Sequence, residues 1–134
     1  MDVFDRETRS RIMRAIKSRN TKPEMLVHRM LESTGARSRH GSVALPGRPD
    51  FYVPAYPAAV FVEGCFFHKH MGCFKAPKTN KKFWAKKIKD NVARDRRNQA
   101  ALYRIGIATL RIWECSVYRR RNEIMELLLC LTGG

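Results

Sequence analysis

The chain has 134 residues, and 27 Lys and Arg against 12 Asp and Glu leave a net charge of +15 before its 4 histidines are counted. That length suits one compact domain burying roughly two-thirds of its unfolded surface. With 44% hydrophobic and 10% aromatic residues the chain can make a core, which excludes a disordered basic tail. No apolar run approaches the ~20 residues that span a bilayer. Met1-Asp2-Val3-Phe4-Asp5-Arg6 lacks the charged-then-apolar order of a signal peptide. The expectation is a cytoplasmic protein, nucleoid-associated in a bacterium, with no membrane partner. Its four cysteines are then thiols or metal ligands rather than disulfides. So large a positive excess points to a polyanionic partner, nucleic acid before an acidic membrane surface.

Residues 1–20 read as a basic arm, with Arg9, Arg11, Arg14, Lys17 and Arg19 set around Ile12, Met13 and Ile16. Residues 21–134 form the domain proper. Thr21-Lys22-Pro23-Glu24 is a capping box with Pro inside the first turn. The helix it opens carries Leu26, Val27, Met30 and Leu31 on one face, and Gly35 stops it. From Arg37 to Glu63 short strands alternate with Pro and Gly. Phe51-Tyr52-Val53 is one strand, and Ala58 to Val62, apolar on both faces, reads as a central strand covered on two sides. Residues 65–78 are an irregular Cys/His/Gly/Pro segment.

Asn80 to Arg104 reads as a long basic helix with Trp84, Ile88, Val92, Gln99 and Leu102 or Tyr103 inward. Gly106 ends it, Ile107 to Trp113 is a buried strand, and Ile124 to Leu131 is a closing helix with Cys130 in the core. The fold class is α/β, a small mixed sheet flanked by helices.

Cys65, His70 and Cys73 lie within nine residues, and Cys115 directly follows the strand ending at Trp113. Thiolate and imidazole are the ligands tetrahedral zinc prefers, and a closed set of four marks a structural site. A metal would order a loop with little apolar content of its own; small buried cysteines in a core are the plain alternative. Asp50 starts one strand, Glu63 ends the next, and His68 follows. Carboxylates at strand edges hold Mg²⁺ against a phosphodiester, and an imidazole, titrating near neutral pH, can deprotonate the attacking water. The alternatives are an ordinary Pro-Asp strand start, an exposed strand-end charge at Glu63, and a spare zinc ligand at His68.

The motifs Pro-Gly-Arg-Pro-Asp50-Phe, Val-Phe-Val-Glu-Gly-Cys65-Phe-Phe-His68-Lys-His70, Phe83-Trp84, Asn91-Val-Ala-Arg-Asp-Arg-Arg97 and Ile112-Trp113-Glu114-Cys115 follow in order. Together they resemble the very-short-patch-repair (Vsr) DNA mismatch endonucleases, over about Thr8 to Cys115. That family has a restriction-endonuclease-like fold and nicks DNA beside the thymine of a T:G mismatch left by 5-methylcytosine deamination. The resemblance implies that Asp50 binds Mg²⁺ with the backbone carbonyl of Val62, that His68 is the general base, and that Glu24 supports the site through its neighbours. It also implies that Cys65, His70, Cys73 and Cys115 hold structural Zn²⁺. Where the best-known pattern has a histidine after the metal-binding carbonyl, this chain has Glu63, a carboxylate that could join the metal site. Where Phe-Trp is usual it has Phe66-Phe67.

Apolar wedges that unstack a step cost a few kcal/mol, less at a mispair. By resemblance Phe66, Phe67 and Trp84 intercalate from the major groove and Met13 enters from the minor groove; Trp84 and Met13 also suit ordinary packing. The helix from Lys81 to Arg104 has the charge of a phosphate-gripping surface, with Lys86, Lys87, Arg94 and Arg97 among its candidates. Six to ten phosphate contacts make affinity fall roughly 10³–10⁵-fold from low to moderate salt. Asp95 either orients neighbouring arginines or meets a base edge.

The reading is a zinc-stabilised, Mg²⁺-dependent endonuclease, monomeric, acting on double-stranded T:G DNA. Partners in the repair machinery are left open. Its rivals are a zinc-ordered module that binds distorted DNA without cutting and a basic RNA-binding protein.

Overall fold

The computed structural model describes residues 21–41, 44–65, 68–70, 72–73 and 75–132. The basic arm, with Met13, and the pair Phe66-Phe67 lie outside the described residues. Helix α1 spans Lys22–Ser33, β1 Arg39–His40, β2 Phe51–Val53, β3 Ala58–Glu63, α2 Lys81–Arg104, β4 Ala108–Trp113, α3 Glu114–Arg119 and α4 Arg121–Thr132. One sheet of order β1-β2-β3-β4 results. It is mixed: β1/β2 and β2/β3 are antiparallel and β3/β4 is parallel. A parallel pair needs a crossover rather than a hairpin, and α2 lies within that connection.

The helix starts as the sequence dictates. Thr21 is the N-cap of α1, its hydroxyl accepting from the Glu24 amide at 3.4 Å. After the last turn Gly35 takes φ 74°, a left-handed conformation that suits a residue without a Cβ. The expected face buries Val27 and Leu31, with Leu26 and Met30 packed beside them.

Side chains alternate across a strand, and here the two sheet faces diverge. One face packs Phe51, Val53, Val60 and Ile112 against Val27 and Leu31 of α1, Val117 of α3, and Ile124 and Leu128 of α4, every one of them buried. The other carries a smaller apolar cluster in which Ala59 meets Leu102 of α2 and Ile107, edged by Leu45, Tyr52 and Phe61. Beyond that cluster α2 and the sheet part around a cleft.

Two expectations, at Cys130 and Gln99, need correction, and of the alternatives Leu102 or Tyr103 it is Leu102 that turns inward. Cys130 is exposed, because α4 buries Ile124 and Leu128, one turn apart, and Cys130 falls off that stripe. Tyr103 is 82% exposed while Leu102 is fully buried. Gln99 is exposed and borders the cleft rather than a core. The helix α3 after β4 was not anticipated. No helix among the described residues is long and apolar enough to cross a membrane.

Candidate active site and metal centre

Asp50 and His68, from different parts of the chain, line one cleft of about 500 Å³, shared with Val62, Glu63, Asp95 and Arg111. The sheet explains where Asp50 sits. Phe51 pairs with Val60, so a continued ladder would set Pro49 opposite Val62. Proline has no N–H and ends the ladder. The Val62 amide instead donates to Asp50 Oδ2 at 2.7 Å.

Burial, then a hydrogen bond with the Glu24 carboxyl, pushes the Asp50 carboxyl up to about 8. Two acids this close in low dielectric resist a second negative charge. Glu24 itself is 4% exposed, and its Oε2 stands 3.7 Å from His40 Nε2. His40 in turn stacks on Phe51 with centroids 4.7 Å apart. Glu24 thus touches both Asp50 and His40.

His68 follows β3 in a turn closed by its amide bond to the Gly64 carbonyl at 3.2 Å. Its Nδ1 lies 2.5 Å from Asp95 Oδ2. A carboxylate at that distance accepts a hydrogen bond from Nδ1–H, which leaves the Nε2 lone pair available as a base. Glu63, 5% exposed, is also in the cleft, its Oε1 3.9 Å from His68 Nδ1. Its Oε2 accepts from Arg111 Nε at 2.7 Å. Burial pushes the Glu63 carboxyl up, while Arg111 opposes the shift. Sequence reasoning missed both Asp95 as the partner of His68 and Arg111. The signal for Asp95 was present: Ile88, Val92, Asp95, Gln99 and Leu102 step by four and three, so Asp95 falls on the inward stripe of α2.

Lys69 takes φ 54°, and across this left-handed residue the chain sends His68 to Asp95 and His70 to a second cluster. There Cys65 Sγ, Cys73 Sγ, Cys115 Sγ and a ring nitrogen of His70 all lie within 4.8 Å of one another. Cys115 Sγ is 3.5 Å from His70 Nδ1. Zinc at ordinary bond lengths in a tetrahedron sets a sulfur–nitrogen edge of about 3.6 Å, so the donor set fits. Burial pushes the Cys65 thiol up to about 12, with the neighbouring Cys115 and Cys73 adding to it. Cys115 is lowered: burial acts against this, but hydrogen bonds from Cys73 and Cys65 prevail. Three thiols and an imidazole crowded together in this way can hold a metal ion, as expected for Cys65, His70, Cys73 and Cys115. Trp113 joins the two clusters, stacking on His70 with centroids 4.2 Å apart while Arg111 lies over its ring at 4.7 Å.

The DNA-contact candidates are spread along α2. Trp84 is half-buried, edge-on to Phe83 at 5.0 Å. Lys86 and Arg97 are exposed and Lys87 half-buried. Arg94 borders the cleft and donates to Asn91 Oδ1 at 3.1 Å.

The family model described as DNA mismatch endonuclease Vsr matches residues 1–75. The DNA mismatch endonuclease Vsr of Escherichia coli (strain K12) is 42% identical over 128 residues, covering 95% of this chain and 82% of the relative. Two type II nicking enzymes, V.NmeAIP of Neisseria meningitidis and V.XorIIP of Xanthomonas oryzae pv. oryzae, are each 39% identical over 118 residues. Each match covers 87% of this chain, with 84% and 86% of the respective relatives. With matches of this extent, the chain belongs to the Vsr family of DNA mismatch endonucleases.

Proposed function

We propose that this endonuclease nicks duplex DNA beside the thymine of a T:G mismatch, by Mg²⁺-dependent hydrolysis, in the repair of deaminated 5-methylcytosine. One observation carries the reading: Asp50 and His68 share a single cleft, with Asp95 fixing the His68 ring through Nδ1. His68 Nε2 takes a proton from the water that attacks phosphorus, and the bond from phosphorus to one bridging oxygen breaks. Asp95 acts through His68 as a positioning residue, holding the tautomer and stabilising the imidazolium that forms.

Asp50 and the Val62 carbonyl would hold Mg²⁺. Both donors are hard oxygens. A strand residue turns its N–H and C=O to the same edge; Val62 gives its N–H to Asp50, so its carbonyl faces that side too. The donor that a longer ladder would give this carbonyl belongs to Pro49, which has none. When bound, the ion relieves negative charge on the phosphate. Cys65, His70, Cys73 and Cys115 would hold structural zinc, ordering the loop that carries His68.

In this reading residues 1–20 are a DNA-contacting arm and 21–134 the endonuclease domain. Met13, Phe66, Phe67 and Trp84 are the wedges at the mismatch, and Lys86, Lys87, Arg94 and Arg97 grip phosphates. The protein works as a cytoplasmic monomer alongside repair machinery.

The deciding experiment compares a duplex holding one T:G pair with its T:A counterpart, with and without Mg²⁺. A single nick beside the T, absent from the T:A duplex and lost in His68→Ala, is the expected result. Equal cutting of both duplexes, or binding without a nick, overturns the proposal.

A further inference from the structure

Asp50, Glu63 and Asp95 all line the cleft, so a phosphodiester entering it brings negative charge against carboxylates. A fixed cation is needed near the phosphate, and Arg111 has that placement. It enters from β4, opposite Phe61 in the register, on the sheet face that carries Glu63. Its Nε donates to Glu63 at 2.7 Å, and its Nη2 lies 2.5 Å from Glu63 and 3.5 Å from Asp95. Trp113 lies beneath the guanidinium.

Arginine has five N–H donors in a planar fork. The bonds to Glu63 and Asp95 use Nε and Nη2, and among the described residues none uses Nη1. The side chain is 32% exposed. Arg48 and Arg94 border the same cleft, yet both are exposed and neither is clamped between two carboxylates. A guanidinium already locked by its neighbours loses little freedom on meeting an anion.

We infer that Arg111, held by Glu63 and Asp95, donates from Nη1 to a non-bridging oxygen of the phosphate being cut and meets the charge that develops there. The inference rests on the hydrolytic reading above. Glu63 is then a positioning residue for Arg111.

The test places a neutral methylphosphonate at the linkage the wild type cuts, mapped beforehand on the T:G duplex, and measures binding of the full chain without added Mg²⁺. The wild type is expected to bind the neutral linkage roughly 10-fold more weakly than the native one, the worth of one charge-assisted hydrogen bond. Arg111→Gln is expected to bind the two alike. Arg111→Lys, which keeps the charge but loses the fork, is expected to lose about 10²-fold in kcat with mismatch affinity retained. Because Arg111→Gln strips a buried carboxylate of its cation, the double variant Glu63→Gln/Arg111→Gln is measured beside it and should be equally indifferent to the linkage. If a folded variant lacking the arginine still discriminates as the wild type does, Arg111 does not touch that phosphate and the inference fails. A wild type that nicks away from the mismatch overturns the T:G specificity alone, since the linkage mapped there serves the same comparison. DNA left intact overturns both.

Discussion

Val60 and Phe61 are adjacent on one strand and face different worlds. Val60 looks toward α1, α3 and α4, into the larger cluster, whose nine core members are all buried. Phe61 looks toward α2, beside a cleft holding Glu63, Asp95 and Arg111. The first face supplies the apolar burial that a chain of this size needs. The second gives up burial for charges, and burial raises the carboxyl at Glu63 against the pull of Arg111. A domain keeps such a costly arrangement when it has work for it, and the stability that the site forgoes is made up on the opposite face.

That contrast can be broken at Asp50. Asp50→Asn is expected to take nicking below detection while leaving the apolar face intact. Its pH behaviour sharpens the point. The carboxyl is raised from its ordinary 3.8 to about 8, so the folded state holds a proton the unfolded chain releases. Without divalent metal, the stabilisation from this proton is complete below the ordinary value and lost as pH rises through about 8. Melting curves across that window should fall with pH for the wild type and stay flatter for the Asn variant. Equal slopes would show that Asp50 is not the group responsible.

Zinc removal separates the two faces in another way. His68 lies between the proposed ligands Cys65 and Cys73, so if it is the base of the proposed reaction, chelation should lower nicking by roughly 10²–10⁴-fold, the worth of a positioned base. The helices of the apolar face should keep their circular dichroism. Undiminished nicking by protein shown to be zinc-free would break the link. On the apolar side Phe51→Ala is expected to cost about 3–5 kcal/mol by denaturant titration. Phe61→Ala, at a half-buried position, should cost clearly less; equal losses would mean that the faces contribute alike.

What was legible in the sequence tracks how local each signal is. The N-cap at Thr21, the strand Phe51–Val53 and the helix over Lys81–Arg104 are set by neighbours in sequence, and all three form as expected, while the Glu24 carboxyl contacts Asp50 and His40 instead of closing the capping box. The thiol cluster was legible because three of its members share one loop and the fourth closely follows a strand. The inward position of Asp95 was legible in the stripe of α2, but its pairing with His68 and the placement of Arg111 were not, since they depend on how α2 and β4 meet across the cleft, a contact no periodicity states. Neither role open to Asp95 from its sequence neighbours, orienting arginines or meeting a base edge, includes its partner His68, 27 residues away. Cys130 misled in the opposite direction: an apolar helix invites burial on every side, while only one stripe of α4 finds a partner.

Pro49 gives the sheet a missing rung. Buried and unable to donate, it leaves β2 paired only as far as Phe51 opposite Val60 while β3 runs on to Glu63, and the gap is where Asp50 and the Val62 backbone meet. Any other amino acid there could knit the strands further and make a sturdier scaffold, at the cost of the opening in which the proposed chemistry is set. On that proposal architecture and catalysis compete for the same few ångströms of backbone, and an imino acid decides the contest for catalysis.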